Sequence, residues 1–375
     1  MKYYIIAGEA SGDLHGSNLL KELNLLDSNA TIRCWGGDLM KKEGGVVVKH
    51  YRDLAFMGFI EVVKNLPTIL KNFSFCKQDI DQFKPDVLIL IDYPGFNLRM
   101  AKWAKEKGYK VIYYISPQIW AWKESRIHKI KKYTDKMLVI LPFEEAYYLK
   151  WNFKADYVGH PLVEVIENFK NTSNQSIKSS ANQPIVALLP GSRKQEILQK
   201  LPIMLEVSVR FPQYQFVVAK APGLYESFYE ELLNKYNNVS SVNNQTYELL
   251  SCASAALVTS GTATLETALF AVPEIVCYKG SNISYQIAKR LIKIKFIGLV
   301  NLIMEKEVVK ELIQDELTVE NISKELDLLM NNQERKNKIQ EDYYKLKNIL
   351  SKGGSASKNA ASIIFSFVRT SLSKQ

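Results

Sequence analysis

The sequence predicts an α/β protein built of two doubly wound, Rossmann-like domains followed by a C-terminal helical segment. Three observations predict this fold. The chain has 375 residues. A single hydrophobic core usually organises fewer residues than this, so two domains are the default. Short apolar runs alternate with longer segments whose apolar residues recur every three or four positions, which is typical of a parallel sheet covered by helices. This alternation stops at a polar stretch and then starts again.

The first half of the chain predicts a parallel sheet with intervening helices. The predicted strands are Tyr3–Ala7, Ile32–Trp35, Val46–Lys49, Val87–Asp92, Val111–Ile115 and Met137–Leu141. Apolar residues with helical spacing lie between them, as in Leu14–Leu26, Asn72–Phe83 and Asn97–Lys107. Strands that are apolar on both faces need helices on both sides of the sheet. We therefore predict an N-terminal domain at residues 1–160.

A polar stretch separates this domain from a second one. Residues Asn168–Gln183 are rich in Asn, Ser and Lys, a composition that cannot bury a core, so we predict a linker at 161–184. The strand–helix alternation then restarts and predicts a second domain at residues 185–340. Its predicted strands are Ile185–Leu189, Gln215–Ala219, Ala255–Val258 and Glu274–Tyr278.

The end of the chain predicts helices without strands. From Val319 onward no strand pattern occurs, and Gly353-Gly354 separates a last helix, Ala356–Leu372, within C-terminal helices at 341–375. The apolar stripe of this last helix must cover a surface, either on the same chain or on a second subunit. A homodimer that uses this helix is therefore one prediction.

Composition excludes several classes of protein. No run reaches the roughly 20 apolar residues that span a bilayer, and the N-terminal apolar run is too short for a signal peptide, so we expect a cytoplasmic protein. The cysteines are too dispersed for a disulfide framework or a zinc site. The net charge of +10 suits nucleic acid, an anionic membrane or a phosphorylated substrate, and charge alone does not choose among them.

The loop after the first strand is a candidate ligand site. Ligands of parallel α/β sheets bind beyond the carboxyl ends of the strands, and Gly8–Asp13 combines small residues with two acids at that position. The loop matches neither the P-loop nor the GxGxxG pattern. Its candidate binding residues are Glu9, Ser11, Gly12 and Asp13. The alternative is that Asp13 or Ser11 caps the following helix and the glycines only form a tight turn.

Asp92 is the candidate general base. It ends the apolar run Val87–Ile91 and stands before Tyr93-Pro94-Gly95, so its carboxylate is expected at a strand tip beside apolar walls. Burial there would raise its pKa and make it a better base. The alternative is that Asp92 accepts N–H bonds in the turn and only caps the next helix.

Two loops of the second domain predict a nucleotide diphosphate site. In Leu189–Arg193, the residues Gly191 and Ser192 expose backbone N–H groups at a helix start, and Arg193 adds a fork suited to phosphate. In Ser260–Glu266, small residues again open a helix, and Glu266 lies one turn deeper, within reach of a ribose diol. The alternatives are a Pro-Gly turn with a surface Arg and a small-residue helix packed on the sheet.

Two other features bear on metal and membrane. The only Asp-x-Asp match, Asp79-Ile80-Asp81, falls within a helical pattern, so we predict no metal site. An apolar segment with interspersed lysines, Phe56–Phe75, and a basic stretch after Trp120 and Trp122 could seat the protein on an anionic bilayer or hold an acyl chain. The alternatives are a core helix and a solvated helix face. The basic residues are Lys123, Arg126, Lys129, Lys131, Lys132 and Lys136.

Taken in order, these motifs resemble the lipid A disaccharide synthases, an inverting glycosyltransferase family with the GT-B fold. Any one segment is weak, but the ordered set covers nearly the whole chain. The similar segments are Ala7–Asp13 (AGEASGD), Met57–Val62 (MGFIEV), Lys84–Asn97 (KPDVLILIDYPGFN), Ser116–Lys123 (SPQIWAWK), Leu141–Glu144 (LPFE), Val158–Pro161 (VGHP), Leu188–Arg193 (LLPGSR), Ser260–Glu266 (SGTATLE), Ala288–Leu291 (AKRL) and Asn301-Leu302.

The resemblance implies a reaction and a site. UDP-2,3-diacylglucosamine would donate its sugar to the 6-hydroxyl of 2,3-diacylglucosamine 1-phosphate, giving a β-1,6 disaccharide 1-phosphate and UDP. The first domain would bind the acceptor, with Asp92 as base and the Gly8–Asp13 loop nearby. The resemblance also implies a peripheral protein of the inner membrane, with no cofactor and no nucleic-acid partner. UDP would be bound by Gly191, Ser192, Arg193, Gly261, Thr262, Ala263 and Glu266, with Asn301 nearby.

Two rival functions remain open from the sequence. One is another UDP-sugar enzyme of this fold, either a 2-epimerase or a different lipid-linked glycosyltransferase. The second is a UDP-sugar sensor without catalytic activity. The presence of Asp92, Arg193 and Glu266 favours an active transferase.

Overall fold

The chain folds into two compact units, each with its own parallel sheet. The computed structural model describes residues 1–54, 66–172, 183–221, 224–280 and 294–373. The first unit contains Met1–Pro161 and Leu350–Gln375, and the second contains Leu162–Ile349. The predicted α/β class with two doubly wound sheets is thus confirmed.

The first unit is built on a seven-stranded parallel sheet in the order β3-β2-β1-β4-β5-β6-β7. Its strands are β1 Lys2–Ala7, β2 Thr31–Gly36, β3 Val46–His50, β4 Val87–Ile91, β5 Val111–Tyr114, β6 Lys136–Val139 and β7 Asp156–Tyr157. Its helices up to residue 149 are α1 Ala10–Leu26, α2 Asp38–Lys42, α3 Leu66–Phe83, α4 Pro94–Glu106, α5 Ile127–Tyr133 and α6 Glu144–Leu149. The chain reverses direction across the sheet between β1 and β4, where ligands bind in doubly wound folds.

The central strands of this sheet are buried on both faces. Tyr4 and Ile6 of β1 belong to one apolar cluster, whereas Tyr3 and Ile5 belong to the cluster on the opposite face. Side chains alternate between the faces of a strand, so a strand covered on both sides must be apolar at every position. This is why Tyr3–Ala7 and Val87–Ile91 have continuous apolar sequences.

The last helix, α15 (Ala356–Leu372), packs on α1 of the first unit. Its apolar stripe, which includes Ala360, Ile364 and Val368, is buried in the same cluster as Tyr3. The surface that this stripe covers therefore lies on the same chain, which removes the reason for a homodimer through α15. The structure also divides the predicted C-terminal segment 341–375, because only its part from Leu350 onward joins the first unit.

The second unit has a six-stranded parallel sheet in the order β10-β9-β8-β11-β12-β13. Its strands are β8 Ile185–Leu189, β9 Gln215–Lys220, β10 Val239–Asn243, β11 Ala253–Thr259, β12 Glu274–Tyr278 and β13 Lys310–Ile313. The helices after residue 160, up to α15, are α7 Pro161–Thr172, α8 Lys194–Arg210, α9 Glu226–Leu233, α10 Thr246–Cys252, α11 Thr262–Leu269, α12 Leu299–Met304, α13 Val319–Asn331 and α14 Gln333–Ser351.

Helix α7 occupies the first part of the predicted linker. Phe169 packs edge-to-face against the rings of Tyr247 and Phe270, with centroids 5.4 and 5.9 Å away. Lys170 donates a hydrogen bond to the carbonyl of Leu269 at 2.9 Å. These contacts order residues whose polar composition alone predicted no structure. Residues 173–182, the rest of the polar stretch, lie outside the described residues.

Three further segments of the sequence analysis fall wholly or partly outside the described residues. These are Met57–Val62, Ala288–Leu291 and the first part of Phe56–Phe75. Within the described ranges, no helix combines the length and apolar content needed to cross a bilayer.

Candidate active site

The first unit brings the loop after β1 beside the loop after β4. The two strands are adjacent and parallel, and Ala7 pairs with Ile91, so Gly8 and Asp92 follow at the same edge of the sheet. A side chain on Gly8 would collide with the ring of Tyr93. Gly8 thus allows a close approach of the two loops that a larger residue would prevent.

Asp92 is held in an unusual backbone conformation at the tip of β4. Asp92 and Tyr93 have φ angles of 42° and 44°, in the left-handed region that residues other than Gly rarely adopt. The Asp92 carbonyl accepts hydrogen bonds from Asn97 Nδ2 at 2.8 Å and from the Tyr113 hydroxyl at 2.6 Å. Strained backbone of this kind is common at functional sites, where neighbouring groups over-determine it.

The environment of the Asp92 carboxyl raises its pKa to about 7. Burial is the main cause and the charge of Glu9 is the second, while a hydrogen bond from the Tyr93 backbone N–H acts in the opposite direction. A general base works best when its pKa lies near the working pH. The pKa of Asp92 therefore suits a general base, and the nearby charge of Glu9 helps to raise it.

Replacing Glu9 with Gln is expected to shift the pH dependence of activity. Because the charge of Glu9 raises the pKa of Asp92, removing that charge lowers this pKa, and Asp92 becomes ionised at lower pH. The acid limb of kcat/KM, which reports groups of the free enzyme, should lie near pH 7 in the wild type and lower in Glu9→Gln. An acid limb that stays in place would show that Glu9 does not act on the base.

Asp13 has a structural role in this region. Its carboxylate accepts hydrogen bonds from the backbone N–H groups of Gly37, Leu39 and Met40 at 2.7–3.1 Å. These N–H groups form the first turn of α2, so Asp13 caps that helix and not its own. The prediction that the Asp13 side chain binds the acceptor is corrected accordingly, since its carboxylate is buried and occupied.

Of the other candidate residues in the Gly8–Asp13 loop, Gly12 is packed against β1, whereas Glu9 and Ser11 are at least partly exposed. The Cβ of a residue replacing Gly12 would lie 3.1 Å from the Cβ of Ala7, so Gly12 lets α1 pack closely on β1. Ser11 is exposed and Glu9 is partly exposed. Glu9 and Ser11 are therefore the polar side chains of the loop that remain accessible to a ligand.

Replacing Asp13 with Ala is expected to destabilise the first unit by about 3 kcal/mol. The change leaves three backbone N–H groups without their acceptor, and each unsatisfied buried donor costs roughly 1–3 kcal/mol before local rearrangement. Urea unfolding followed by circular dichroism measures the loss. If Asp13 bound substrate instead, the variant would lose turnover at an unchanged free energy of unfolding.

The second unit brings the two predicted phosphate loops together. The strands β8 and β11 are adjacent, and α8 and α11 begin directly after them. Gly191 and Gly261 have φ angles of 116° and 145°, which residues with side chains do not adopt without strain. A cavity of about 470 Å³ opens between these loops, lined by Leu189, Gly191, Ser192, Arg193, Glu196, Ala219, Lys220, Ala221, Thr246, Thr259, Ser260, Gly261, Thr262, Ala263 and Glu266.

The charged groups of this pocket suit a nucleotide diphosphate. Arg193 Nη1 lies 3.2 Å from Glu196 Oε1, and its side chain remains 55% exposed, which leaves most of its donors free for a ligand. Glu266 Oε1 accepts a hydrogen bond from the Tyr247 hydroxyl at 3.0 Å, and burial raises the pKa of this carboxyl. Helix N-termini attract anions through their free N–H groups, and two of them meet here.

Asn301 does not line this pocket. Its side chain is fully buried, and its amide nitrogen donates to the Val309 carbonyl and to Glu311 Oε1, both at 2.8 Å. Its amide oxygen accepts from the N–H groups of Val308 and Val309 at 2.8 and 3.0 Å. These four bonds use the hydrogen-bonding capacity of the amide. Asn301 was predicted to lie near UDP, and in the structure its side chain holds the turn between α12 and β13.

The Asp-x-Asp residues are engaged in packing within the first unit. Asp79 accepts hydrogen bonds from Arg33 Nε at 2.8 Å and from the Tyr4 hydroxyl at 2.6 Å. Asp81 accepts from the Tyr109 hydroxyl at 3.0 Å. Both carboxylates thus connect α3 to neighbouring elements of its unit.

Comparison with known proteins identifies the family. A protein-family model described as Lipid-A-disaccharide synthetase matches residues 3–365. The chain belongs to this family. It is 37% identical over 375 residues to a lipid-A-disaccharide synthase of Trichlorobacter lovleyi, covering 98% of this chain and 97% of that relative. It is 39% identical over 355 residues to lipid-A-disaccharide synthase 1 of Legionella pneumophila, covering 92% of each.

Solved structures show the same fold at much lower sequence identity. A UDP-GlcNAc 2-epimerase from Neisseria meningitidis bound to UDP-GlcNAc has a TM-score of 0.68 at 15% identity, covering 99% of this chain and all (100%) of that one. The glycosyltransferase of kitacinnamycin has a TM-score of 0.66 at 13% identity, covering 97% and 98%. These similarities support the GT-B fold, and the family match supports the resemblance drawn from the motifs.

The structure also connects two segments on which the resemblance was drawn, Ser116–Lys123 (SPQIWAWK) and Leu141–Glu144 (LPFE). Trp120 Nε1, in the SPQIWAWK segment, donates to Glu144 Oε1 at 3.1 Å, and the Leu141 N–H donates to Glu144 Oε2 at 3.0 Å. Glu144 is fully buried, and burial raises its pKa to about 7. It therefore joins two loops beyond the strands β5 and β6.

Several pocket residues of the second unit were missed in the sequence. Lys220 ends β9 and Ala221 follows it, Thr246 begins α10, and Thr259 ends β11. Their positions after strands or at a helix start are the signal that could have found them. Each is a common residue type outside any recognisable motif, so its position alone was not enough to predict a binding residue.

Proposed function

We propose that this chain is a glycosyltransferase that joins UDP-2,3-diacylglucosamine to 2,3-diacylglucosamine 1-phosphate. The products are the β-1,6-linked disaccharide 1-phosphate and UDP, in a step of lipid A biosynthesis. The observation that carries this proposal is the family match over residues 3–365, together with relatives named lipid-A-disaccharide synthase that align along the chain. The two sites described above supply the groups that such a reaction needs.

The second unit is proposed to bind the UDP part of the donor. Gly191, Ser192, Gly261, Thr262 and Ala263 line the pocket, and their backbone N–H groups are proposed to bind the diphosphate oxygens. The exposed fork of Arg193 adds charge-assisted hydrogen bonds. Glu266 lies one turn below Thr262 and is proposed to accept from a ribose hydroxyl.

The first unit is proposed to bind the acceptor and to supply the base. Asp92 removes the proton of the acceptor 6-hydroxyl as that oxygen attacks the anomeric carbon. UDP leaves from the opposite face, and its growing charge is stabilised by Arg193 and the helix N-termini without help from a metal ion. Fixed donors aimed at developing charge are typically the largest contribution to catalysis of this kind. Glu9 and Ser11 are the accessible residues beside Asp92.

Contact with the inner membrane surface is proposed through the region around Trp122. This indole is 44% exposed, and Lys123 Nζ lies 4.3 Å and Arg126 Cζ 5.3 Å from its ring centroid. Aromatic rings beside cations are typical of membrane interfaces. The protein should co-sediment with vesicles that contain anionic lipid at low salt and be released at high salt. Equal binding to neutral vesicles would contradict the electrostatic part of this proposal.

UDP release tests the reaction. Purified protein is mixed in detergent with the UDP-linked donor, with and without the acceptor phosphate, and with EDTA present. We expect UDP only when the acceptor is added, at a rate that EDTA does not change. Release of a free sugar epimer without acceptor would favour a 2-epimerase, and binding of UDP without any turnover would favour a sensor.

A further inference from the structure

A buried lysine lies beneath the phosphate pocket of the second unit. Lys200 is on α8, about two turns after Arg193, and is 3% exposed. Its ammonium donates a hydrogen bond to Thr259 Oγ1. Within the described ranges, it has no carboxylate at ion-pair distance, in contrast to Lys220 in the same pocket, which pairs with Glu226 at 2.6 Å.

Thr259 connects this ammonium to the pocket. It is the last residue of β11 and lines the cavity. Its Cγ2 lies 3.4 Å from the position that a Cβ on Gly191 would occupy, so Thr259 is directly under the Gly191 turn. A threonine hydroxyl accepts from Lys200 and still has one hydrogen to donate. No acceptor for that hydrogen occurs among the residues that the structure describes.

The burial of the Lys200 ammonium costs free energy. Removing an ammonium from water is expensive unless a counter-charge repays it. Burial lowers the pKa of Lys200 and the charge of Arg193 lowers it further, whereas Glu196 and Cys277 act to raise it. The negative charge around Lys200 therefore only partly balances its ammonium. A dianionic ligand in the pocket above Thr259 would complete this balance.

We propose that Lys200 is a positioning residue of the donor pocket that acts through Thr259 on the diphosphate of the bound nucleotide. Lys200 holds the Thr259 hydroxyl so that its hydrogen is donated to a phosphate oxygen, and the buried ammonium offsets the charge of the diphosphate. This inference rests on the proposed function in one respect, namely that the pocket binds a nucleoside diphosphate. A purely structural hydrogen bond that joins α8 to β11 is the competing explanation.

The variant Lys200→Met separates these two explanations. Met has a similar length and no charge, so it removes the cost of burying the ammonium. We expect the melting temperature of the ligand-free variant to equal or exceed that of the wild type, while the Kd for UDP by calorimetry rises about tenfold or more. The loss should be smaller for UMP, which carries less phosphate charge. A purely structural role would instead lower the melting temperature and leave UDP affinity unchanged.

Two further variants complete the test. Lys324→Met removes the same charge from an exposed position of α13, and UDP affinity should not change. Thr259→Val keeps the shape and removes the hydroxyl, so it should weaken UDP binding, and the double variant should be little worse than either single one because the two groups act together. Full additivity would overturn the connection through Thr259. Failure of the wild type to bind UDP would overturn the donor pocket itself and this inference with it, whereas unchanged affinity in Lys200→Met would overturn only the role of Lys200.

Discussion

Asp92→Asn is expected to lower turnover by about 10²–10⁴-fold, the range that a positioned general base contributes, with UDP affinity unchanged. Asn keeps the shape of the side chain but cannot take the proton of the acceptor hydroxyl. The proposed UDP pocket at Gly191–Arg193 and Gly261–Glu266 is in the second unit, whereas Asp92 is in the first unit. Steady-state kinetics with both lipid substrates and calorimetry with UDP measure the two effects separately. An equal loss of UDP binding and turnover would contradict the assignment of Asp92 as base.

The same substitution should stabilise the protein above neutral pH. The pKa of Asp92 is raised from 3.8 to about 7 in the folded state, so between these values the folded protein retains a proton that the unfolded chain has released. Stability from this group is complete below pH 3.8 and is lost as the pH rises to about 7, at about 1.4 kcal/mol per pH unit. Asp92→Asn should therefore unfold at higher urea than the wild type at pH 8 and at the same urea at pH 4. A variant less stable at pH 8 would show that Asp92 is a structural cap.

Arg193→Ala is expected to raise the Kd for UDP about 30-fold, because a hydrogen bond from a charged group contributes roughly 1.5–3 kcal/mol. The effect on turnover should be larger, with kcat falling about 10²–10³-fold, as for the loss of one donor that stabilises developing charge. The reason is that the negative charge of the UDP leaving group grows in the transition state.

The matched control for this prediction is Arg210→Ala. Arg210 ends α8, the helix that begins directly after Arg193, and forms an ion pair with Glu320 at 2.7 Å, but it does not line the pocket. Its removal should leave both UDP affinity and kcat unchanged. If both arginine variants lost affinity equally, the effect would come from net charge and not from contact with the diphosphate.

The loops that carry the site could be predicted because their signal is local. A buried apolar strand followed by small residues and a helix, as at Ile185–Leu189 and Gly191-Ser192, fixes both the position in the sheet and the chemistry of the loop. The same reasoning located Asp92 at the tip of β4. Within each unit the strand order of the structure then brings neighbouring loops to one edge of the sheet, those after β1 and β4 in the first unit and those after β8 and β11 in the second.

The structural roles of Asp13 and Asn301 depend on contacts between residues that are not adjacent in the sequence. Asp13 and Asn301 are polar residues next to site loops, and only the fold shows that Asp13 meets the start of α2 and that Asn301 meets Val308 and Val309. The association of α15 with the first unit is a long-range contact of the same kind.

The missed strands β7, β10 and β13 all lie at sheet edges. An edge strand pairs on one side only and is less completely buried, so its sequence can be polar. Ser240 and Ser241 in β10 illustrate this. A two-residue strand such as β7, Asp156–Tyr157, is too short to show any periodicity.

The linkage of the product tests the central claim most directly. Wild-type protein is incubated with UDP-2,3-diacylglucosamine and 2,3-diacylglucosamine 1-phosphate, and the lipid product is characterised by mass spectrometry and by the anomeric proton coupling in NMR spectra. We predict one disaccharide 1-phosphate, joined β-1,6 and formed in equal amount to UDP, whose rate of formation falls about 10²–10⁴-fold with Asp92→Asn. An α-linked product, a free epimerised sugar or UDP formed without a disaccharide would contradict an inverting transferase with Asp92 as its base.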